Sequence, residues 1–458
     1  MRKFLICTCM LFVTLLSLHA QYNSMNVPDS SSIRKSIVSS WITAPFTEVQ
    51  VKNRELHTND VGELFQVRME EGMDEFLVIV APQTFNDVDV IENGKQSHTE
   101  RQEEFRAGSP GGWVLYRDKQ SGDAKRIVWY FNADAEVYIQ FRPSEGNQSR
   151  CYADMLVFGS YAARSVPVGV AFSRIYTASF SDIYTWTRST LPWKKVTAQQ
   201  GVYRESVQVA ETIKSRLGFI DYAENASYNE YGILYDIMSG NPMNEDSVAT
   251  SYADRLTLSG AGFLKWIIDG FVTPLAGRGT SIPELLNHTV DYGTLSKNGV
   301  LSQERNLSFS LDWTRNLAAT ILSVRTRKNY TYETGGTDVT IEPFAADVMN
   351  GMVVQSSGYI PNTGYAIKKL KSLLYVLAVT EPSYMYLAAI RQSSTLVADE
   401  MVFNECAVLI PYFDDFGRFG CYVFEKGRQI PLERFILQYP NSFVHLSRVK
   451  TNGNFFPQ

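Results

Sequence analysis

Residues 416–430, FGRFGCYVFEKGRQI, have the pattern of a β-hairpin. Glu425, Lys426 and Gly427 supply the turn, and Gly420 leaves room for another element to pack closely on the first strand. The neighbouring runs YMYLAAIR, NECAVLIPYF and FVHLSRVK are also rich in β-branched and aromatic residues. Such runs favour strands, so this part of the chain predicts an antiparallel sheet.

Helical periodicity precedes this sheet. Residues 203–219 predict one helix, and the apolar spacing from Phe263 to Phe271 predicts a second with one buried face. A third helix is expected to begin at Asp312, a favourable N-cap, and a fourth to run from Tyr365 to about Val379. Helices followed by a run of strands are typical of an α+β domain, which we predict over residues 200–458.

The preceding part of the chain, residues 45–195, predicts strands without helices between them. The runs FTEVQV, ELFQVRM, EFLVIVAP, GWVLYRD, RIVWYF and VYIQFRP are short, apolar and separated by turn residues. In the last of them Val137, Ile139 and Phe141 alternate with more polar neighbours, as in a half-buried strand. We therefore predict an antiparallel β-sandwich-like domain here.

The chain opens with the features of a secretory signal peptide over residues 1–20. Arg2 and Lys3 precede an apolar run, and Ala20 is a suitable small residue at the cleavage point. The polar, serine-rich residues 21–44 are expected to be loosely ordered. We predict export to the periplasm or the extracellular space.

Composition and charge exclude some classes of function. Removal of residues 1–20 takes away Arg2 and Lys3 and no acidic residue, which moves the formal net charge from −5 to −7. A nucleic-acid-binding protein needs a basic surface, so that role is disfavoured. No segment after the signal peptide predicts a membrane-spanning helix. With 45% apolar residues the chain can build full hydrophobic cores.

Two short motifs resemble the NlpC family of bacterial cell-wall endopeptidases, which have a papain-like fold. Residues 259–267, SGAGFLKWI, are similar to the start of the family's nucleophile helix, and residues 418–423, RFGCYV, are similar to its histidine-bearing strand. The resemblance covers about residues 240–450. It implies that the two motifs pack together, with Gly260 and Arg418 on the order of 10 Å apart.

The departures from that family fall on the catalytic residues. Gly260 stands where the family has its cysteine, and Arg418 stands where it has its histidine. Glycine cannot attack a substrate, and arginine is too basic to accept a proton near neutral pH. An alternative alignment places Asp312 and Trp313 at the nucleophile motif, and it also removes the thiol. The resemblance therefore implies a site that has lost its nucleophile.

Other candidate catalytic pairs have weaker support. Cys406 and His445 would form a new dyad if they lay on adjacent strands, but their spacing does not require it. Cys406 and Cys421 would form either a disulfide or two buried thiols on neighbouring strands, and we favour the thiols. The chain lacks GxxxxGK[ST], HExxH and GxSxG, so neither a cofactor nor a metal is expected.

The whole chain is similar to uncharacterised exported proteins of spirochaetes, which indicates a compartment and no activity. We expect an envelope protein that binds or scaffolds, with peptidoglycan stem peptides as the ligand that the NlpC resemblance implies. The alternative is a cell-wall peptidase or amidase with a non-standard active site. Another envelope protein is a further expected class of partner.

Overall fold

The computed structural model describes residues 27–92, 95–145, 147–243, 255–290, 307–349, 352–355 and 358–457. The predicted signal peptide, residues 1–20, lies outside these ranges. The chain divides into two compact units. The first unit comprises Met1–Thr197 with Phe416–Arg418, and the second comprises Ala198–Asp415 with Phe419–Gln458.

The first unit contains one large antiparallel sheet, which has nine strands in the described residues. The strands are β1 (Glu55–Thr58), β2 (Leu64–Glu71), β3 (Glu75–Glu92), β4 (Lys95–Phe105), β5 (Trp113–Asp118), β6 (Ala124–Tyr130), β7 (Val137–Ser144), β8 (Asn147–Val157) and β9 (Ser160–Pro167). Their order is β1-β2-β3-β5-β6-β7-β8-β9, and β4 pairs with the second half of β3. The antiparallel β-rich domain predicted for this part of the chain is confirmed.

Side-chain alternation explains how this sheet buries one face. Along β7, Val137, Ile139 and Phe141 are buried, while the residues between them are partly exposed. Trp113 on β5 pairs with Trp129 on β6, and both indoles are buried. The period of two therefore places these side chains on one face, and Ile79, Ala81 and Val114 form a smaller buried cluster on the opposite face at the centre of the sheet.

The expectation of a loosely ordered segment over residues 21–44 was wrong for the residues that are described. Helix α1 (Ser31–Ser36) and a π-helical turn (Val38–Ile42) lie within it, and Trp41 is fully buried. The buried Arg34 guanidinium donates hydrogen bonds to the carbonyls of Tyr176 (2.8 Å) and Ala178 (2.7 Å). These contacts order a segment whose composition alone indicated flexibility.

The remaining helical elements of the first unit are short. They are helix α2 (Phe46–Val49), 3-10 turns at Phe172–Tyr176 and Trp193–Lys195, and helix α3 (Phe180–Thr187). The run FTEVQV, which was predicted as a strand, contains α2 instead. Pro45 precedes this helix as its N-cap, in an extended conformation. Proline is well tolerated at a helix start, which explains the error.

The second unit combines helices with several sheets, so the predicted α+β class is confirmed. Its helices are α4 (Arg204–Arg216), α5 (Gly260–Ala276), α6 (Ile282–Leu285), α7 (Phe309–Thr326), α8 (Tyr332–Gly335), α9 (Leu370–Thr380) and α10 (Leu432–Gln438), with 3-10 turns at Leu217–Phe219 and Ile367–Lys369. Its strands are β10 (Ile220–Tyr222), β11 (Ala226–Tyr228), β12 (Leu234–Asp236), β13 (Asn241–Pro242), β14 (Leu256–Leu258), β15 (Asp347–Met349), β16 (Met352–Gln355), β17 (Tyr365–Ala366), β18 (Tyr384–Ser393), β19 (Met401–Phe413), β20 (Phe419–Glu425), β21 (Arg428–Ile430) and β22 (Phe443–Lys450).

Six of these strands form the central sheet, in the order β17-β22-β18-β19-β20-β21. Cys406, Val408 and Ile410 of β19 belong to one buried cluster with α5 and α7. Phe413 points to the opposite face by alternation, and its ring lies 5.0 Å from that of Tyr375 on α9. The sheet is therefore covered by α5 and α7 on one face and by α9 on the other.

Two predicted helix starts were wrong. Asp312 is not an N-cap, because α7 begins three residues earlier at Phe309, with Ser308 at the N-cap position. Tyr365 lies in strand β17, where it pairs with Val444, and helix α9 begins only at Leu370. In the described ranges, no helix is long and apolar enough to cross a membrane.

Candidate functional site

The N-terminus of α5 marks the candidate site. Ser259 caps this helix of 17 residues, and its Oγ accepts a hydrogen bond of 3.1 Å from the Gly262 amide. Gly260 is the first helical residue. A Cβ atom built on Gly260 would lie 3.5 Å from Cγ of Lys426 and 3.9 Å from Sγ of Cys406. Gly260 therefore faces β19 and the turn that follows β20.

The predicted juxtaposition of Gly260 and Arg418 was wrong. Arg418 directly precedes Phe419, the first residue of β20, whereas Lys426 directly follows the last. The strand spans seven residues, so its two ends are about 20 Å apart. The start of α5 packs at the turn end of the hairpin, and Arg418 lies beyond the other end of the strand. The Arg418 guanidinium instead lies 5.1 Å from the centre of the Phe416 ring.

The alternative dyad of Cys406 and His445 was also wrong. These residues lie on β19 and β22, and β18 runs between them, with Ala389 paired to both. Two strand spacings separate them by about 10 Å, which is beyond hydrogen-bond reach. His445 is occupied elsewhere, since its Nε2 lies 3.3 Å from Asp338 Oδ2 and 3.2 Å from the Tyr359 hydroxyl.

The cysteines are unbridged thiols, as predicted. Cys421 on β20 pairs with Pro411 on β19, five residues along the strand from Cys406. That offset is about 16 Å, whereas a disulfide requires Cα atoms within about 7 Å. Burial raises the pKa of both thiols. Neither cysteine is therefore an activated nucleophile, because the thiolate is the reactive form.

Asp312 and Trp313, which the alternative alignment placed at the nucleophile motif, form buried hydrogen bonds near the site. The buried Asp312 accepts hydrogen bonds from the Thr289 amide (2.8 Å) and from the Ser308 hydroxyl (2.7 Å), which ties Thr289 to the first turn of α7. The buried Trp313 indole donates to the Ala261 carbonyl at 2.9 Å. Trp313 therefore fixes the first turn of α5, beside Gly260.

A pocket of about 380 Å³ opens in front of Gly260. This volume lies in the range of small-ligand sites. Its polar and aromatic lining residues include Tyr222, Glu224, Asn225, Asn404, Glu405 and Lys426. Tyr222, Ser259, Cys406 and Lys426 are described lining residues that carry a hydroxyl, thiol or amine, and no histidine lies among the described residues that line the pocket. The pocket can hold a charged, partly apolar molecule, and its described lining lacks the paired cysteine and histidine on which papain-like acyl transfer depends.

The electrostatics of the pocket depend on one ion pair. Lys426 Nζ lies 2.7 Å from Glu405 Oε1, and both side chains are partly exposed. Burial opposes the charge of Lys426, but the hydrogen bond to Glu405 outweighs it, so the pKa of Lys426 is raised. The ion pair therefore places a positive and a negative charge at the pocket, and the Lys426 ammonium keeps further hydrogen-bond donors for a ligand.

Next to this pair lies a buried carboxyl group, that of Glu425 at the end of β20. It accepts hydrogen bonds from the Tyr439 hydroxyl and from Gln438 Nε2 (3.2 Å). Burial raises the pKa of Glu425, and the negative charge of Glu405 adds to that effect. The raised pKa of Glu425 therefore has two causes in this structure, its burial and its proximity to the Glu405 carboxylate.

Sequence reasoning missed Glu405, Glu425 and the pocket residues between Tyr222 and Asn225. Glu425 and Lys426 had been assigned only a turn-forming role. The register of β19 with β20, in which Val408 pairs with Phe424, brings Glu405 beside the turn that contains Lys426. No local spacing in the sequence carries that information.

Comparison with known proteins gives one match. Residues 23–195 match a domain of unknown function, DUF8515, which corresponds to the first unit. No curated protein and no solved structure matches the chain. The matched domain has no assigned activity, and the candidate site lies outside it.

Proposed function

We propose that this chain is an exported protein of the bacterial cell envelope that binds a short peptide and does not cleave it. The single observation that carries the proposal is the absence of a side chain at Gly260, where the pocket opens. A residue without a side chain opens the pocket at the start of a long helix, and the nearest thiol, Cys406, is buried with a raised pKa. The site therefore offers space and charge and lacks an activated nucleophile.

The charges of the pocket suit a peptide with both a carboxylate and an ammonium group. The Lys426 ammonium and the N-terminus of α5 both favour a carboxylate. The exposed Glu224 and the Glu405 carboxylate favour an ammonium group. Peptidoglycan stem peptides carry both kinds of group, and the NlpC resemblance implies the same class of ligand. We therefore infer that a stem peptide is the ligand.

Hydrolysis of that peptide is the second candidate function, and one observation favours it. Glu425 lies beside Glu405, and burial raises its pKa, as in a carboxyl group that acts as a general acid. Glu425 is buried, with its oxygens bonded to Tyr439 and Gln438. These bonds leave it less available to a substrate than the pocket residues, so binding is the preferred proposal.

Retention on purified cell-wall sacculi tests the proposal. The protein without residues 1–20 is incubated with sacculi at low salt and sedimented, and we expect it in the pellet. Lys426→Ala should weaken retention about tenfold, because a charge-assisted hydrogen bond contributes roughly 1.5–3 kcal/mol. The matched control is Lys371→Ala, which removes a similar ion pair, to Glu433 at 2.9 Å, outside the pocket.

The same incubation separates binding from hydrolysis. Binding without cleavage leaves the supernatant free of soluble muropeptides. Release of muropeptides that Glu425→Gln abolishes would establish the hydrolase instead. A wild-type protein that stays in the supernatant would overturn the proposed ligand.

A further inference from the structure

A second cavity, of about 420 Å³, lies along the side of α5. Four segments enclose it: one face of the helix, strand β11 with the turn between β11 and β12, strand β14, and the loop that follows the helix at Gly277–Gly279. Gly262 and Gly270 lie on the helical face and pack closely on neighbouring segments: a Cβ atom would come within 2.1 Å of the Ala226 carbonyl oxygen at position 262 and within 2.6 Å of the Phe455 ring at position 270. The cavity is distinct from the peptide pocket, which lies at the end of the same helix.

A buried ion pair forms the polar part of this cavity. The Lys265 side chain is only 1% exposed, and its Nζ lies 2.5 Å from Asp269 Oδ2. The other carboxylate oxygen, Asp269 Oδ1, accepts a hydrogen bond of 2.7 Å from the Thr280 amide. The loop after the helix therefore holds Asp269 in place, and the ammonium keeps donors for a further acceptor.

An unsatisfied hydroxyl group lines the same cavity. Ser227 on β11 is fully buried, and its Oγ has no hydrogen-bond partner among the described residues. Buried hydroxyl groups are nearly always paired in folded proteins. A ligand that carries its own hydroxyl groups would supply the missing partner.

Aromatic rings form another part of the wall. Tyr228, Tyr231 and Trp266 line the cavity, and Tyr231 is 71% exposed at the tip of the turn. The Asn229 side chain orders this turn, because its Oδ1 accepts from the amides of Tyr231 and Ile233, both at 2.9 Å. The backbone that carries the exposed ring is therefore ordered, which limits the backbone entropy lost on binding.

The charges that line the cavity balance. Glu230 and Asp269 are acidic, and Lys265 and Arg278 are basic. An anionic ligand such as a nucleotide would need a net positive site. An aromatic wall with paired charges and an unsatisfied hydroxyl fits an uncharged ring with apolar C–H faces and many hydroxyl groups.

We propose that this cavity binds a neutral saccharide, with its ring against Tyr231 and its hydroxyl groups on Asp269, Lys265 and Ser227. This inference is independent of the peptide pocket, since the two cavities share no lining residue. It adds a second ligand class to the same unit.

Calorimetric titration with neutral oligosaccharides tests the inference. The probes are chitotetraose and cellotetraose, with tetragalacturonate as an anionic counterpart. We expect a neutral probe to bind, and Tyr231→Ala to weaken that binding at least fivefold without unfolding, since the side chain is mostly exposed. The matched control is Tyr222→Ala, an exposed tyrosine of the other pocket, which should leave saccharide binding unchanged.

Three results would overturn the inference. They are the absence of binding of both neutral probes to the wild-type protein at millimolar concentration, tighter binding of tetragalacturonate than of the neutral probes, and equal loss of binding in the two tyrosine variants. None of these results bears on retention through Lys426, so the peptide proposal is tested separately.

Discussion

Gly262 lies directly against the backbone carbonyl of Ala226: a Cβ atom at position 262 would come within 2.1 Å of that oxygen. The contact brings α5 close to β11, and the Ser259 amide donates to the same carbonyl at 2.8 Å. Gly260, two residues earlier, has only ordinary van der Waals contacts around its Cβ position. The two glycines of the SGAG motif therefore have different roles, packing for Gly262 and an open pocket for Gly260.

The different surroundings of the two glycines predict unequal effects of the same substitution on stability. Gly262→Ala should destabilise the second unit by about 1–3 kcal/mol, the usual cost of overpacking, because a backbone atom must move. Gly260→Ala should change the free energy of unfolding by less than about 0.5 kcal/mol. Urea unfolding followed by tryptophan fluorescence measures both values. Equal effects of the two substitutions would contradict this assignment of roles.

The raised pKa of Glu425 predicts that the free energy of unfolding falls as pH rises. Burial raises its pKa in the folded protein above the unfolded value of about 4.3. The folded state therefore binds the proton more tightly than the unfolded state does. The contribution of Glu425 to the free energy of unfolding is fully present below the unfolded pKa, and it is lost as pH rises through the folded pKa. Glu425→Gln should raise Tm at pH 7, with the gain disappearing near pH 4.

Glu433 provides the control for this prediction, with the opposite sign. The hydrogen bond from Lys371 lowers the pKa of Glu433, so this carboxylate stabilises the fold above its unfolded pKa. Glu433→Gln should therefore lower Tm slightly at pH 7 and leave it unchanged in acid. A Glu425→Gln protein that loses stability at pH 7 would show that the carboxylate is favourable in its buried site.

A buried cluster centred on Arg315 predicts that the stability of the second unit depends strongly on Asp338. Arg315 donates to Asp338 at 2.7 Å and lies 4.5 Å from the centre of the Tyr332 ring, and His445 contacts the same carboxylate. Asp338→Asn should cost about 3–5 kcal/mol, because it leaves a buried guanidinium without its counter-ion. The control is Glu333→Gln, an exposed residue whose carboxylate accepts a hydrogen bond of 3.1 Å from the Tyr332 hydroxyl. Similar unfolding free energies for the two variants would contradict a structural role for the Arg315 cluster.

The raised pKa of the free thiols predicts how they react with an alkylating reagent. Cys151, Cys406 and Cys421 lie outside the predicted signal peptide, and burial raises the pKa of each thiol. We expect three titratable thiols in denaturant, and in the native protein at pH 7 slow reaction of the buried Cys151 and Cys406 with iodoacetamide. A single titratable thiol in denaturant would demonstrate a disulfide and contradict the strand register.

The class of each domain could be predicted from the sequence, because hydrophobic periodicity is a local property. The alternation in β7 and the apolar face of α5 both follow from neighbouring residues. The start of α9 was misplaced, because Tyr365 is held in β17 by its pairing with Val444, a partner far along the chain. Long-range pairing of this kind leaves no local signal.

The candidate site could be predicted only in part. Gly260 was found through its motif, but the residues that face it were not. Arg418 was expected opposite Gly260, and Lys426 occupies that place, because α5 packs at the other end of the β20 strand. Which end of a strand meets a helix depends on the packing of the whole sheet, as does the separation of Cys406 from His445 by β18.

The central claim is that the pocket before Gly260 binds a stem peptide without cleaving it. Isothermal titration of a synthetic stem tetrapeptide into the wild-type protein and into Gly260→Leu tests it most directly. We predict binding to the wild type, loss of binding in the folded Gly260→Leu protein because the new side chain fills the pocket, and recovery of intact peptide. Absence of binding to the wild type, unchanged binding in Gly260→Leu, or a cleaved peptide would contradict the account.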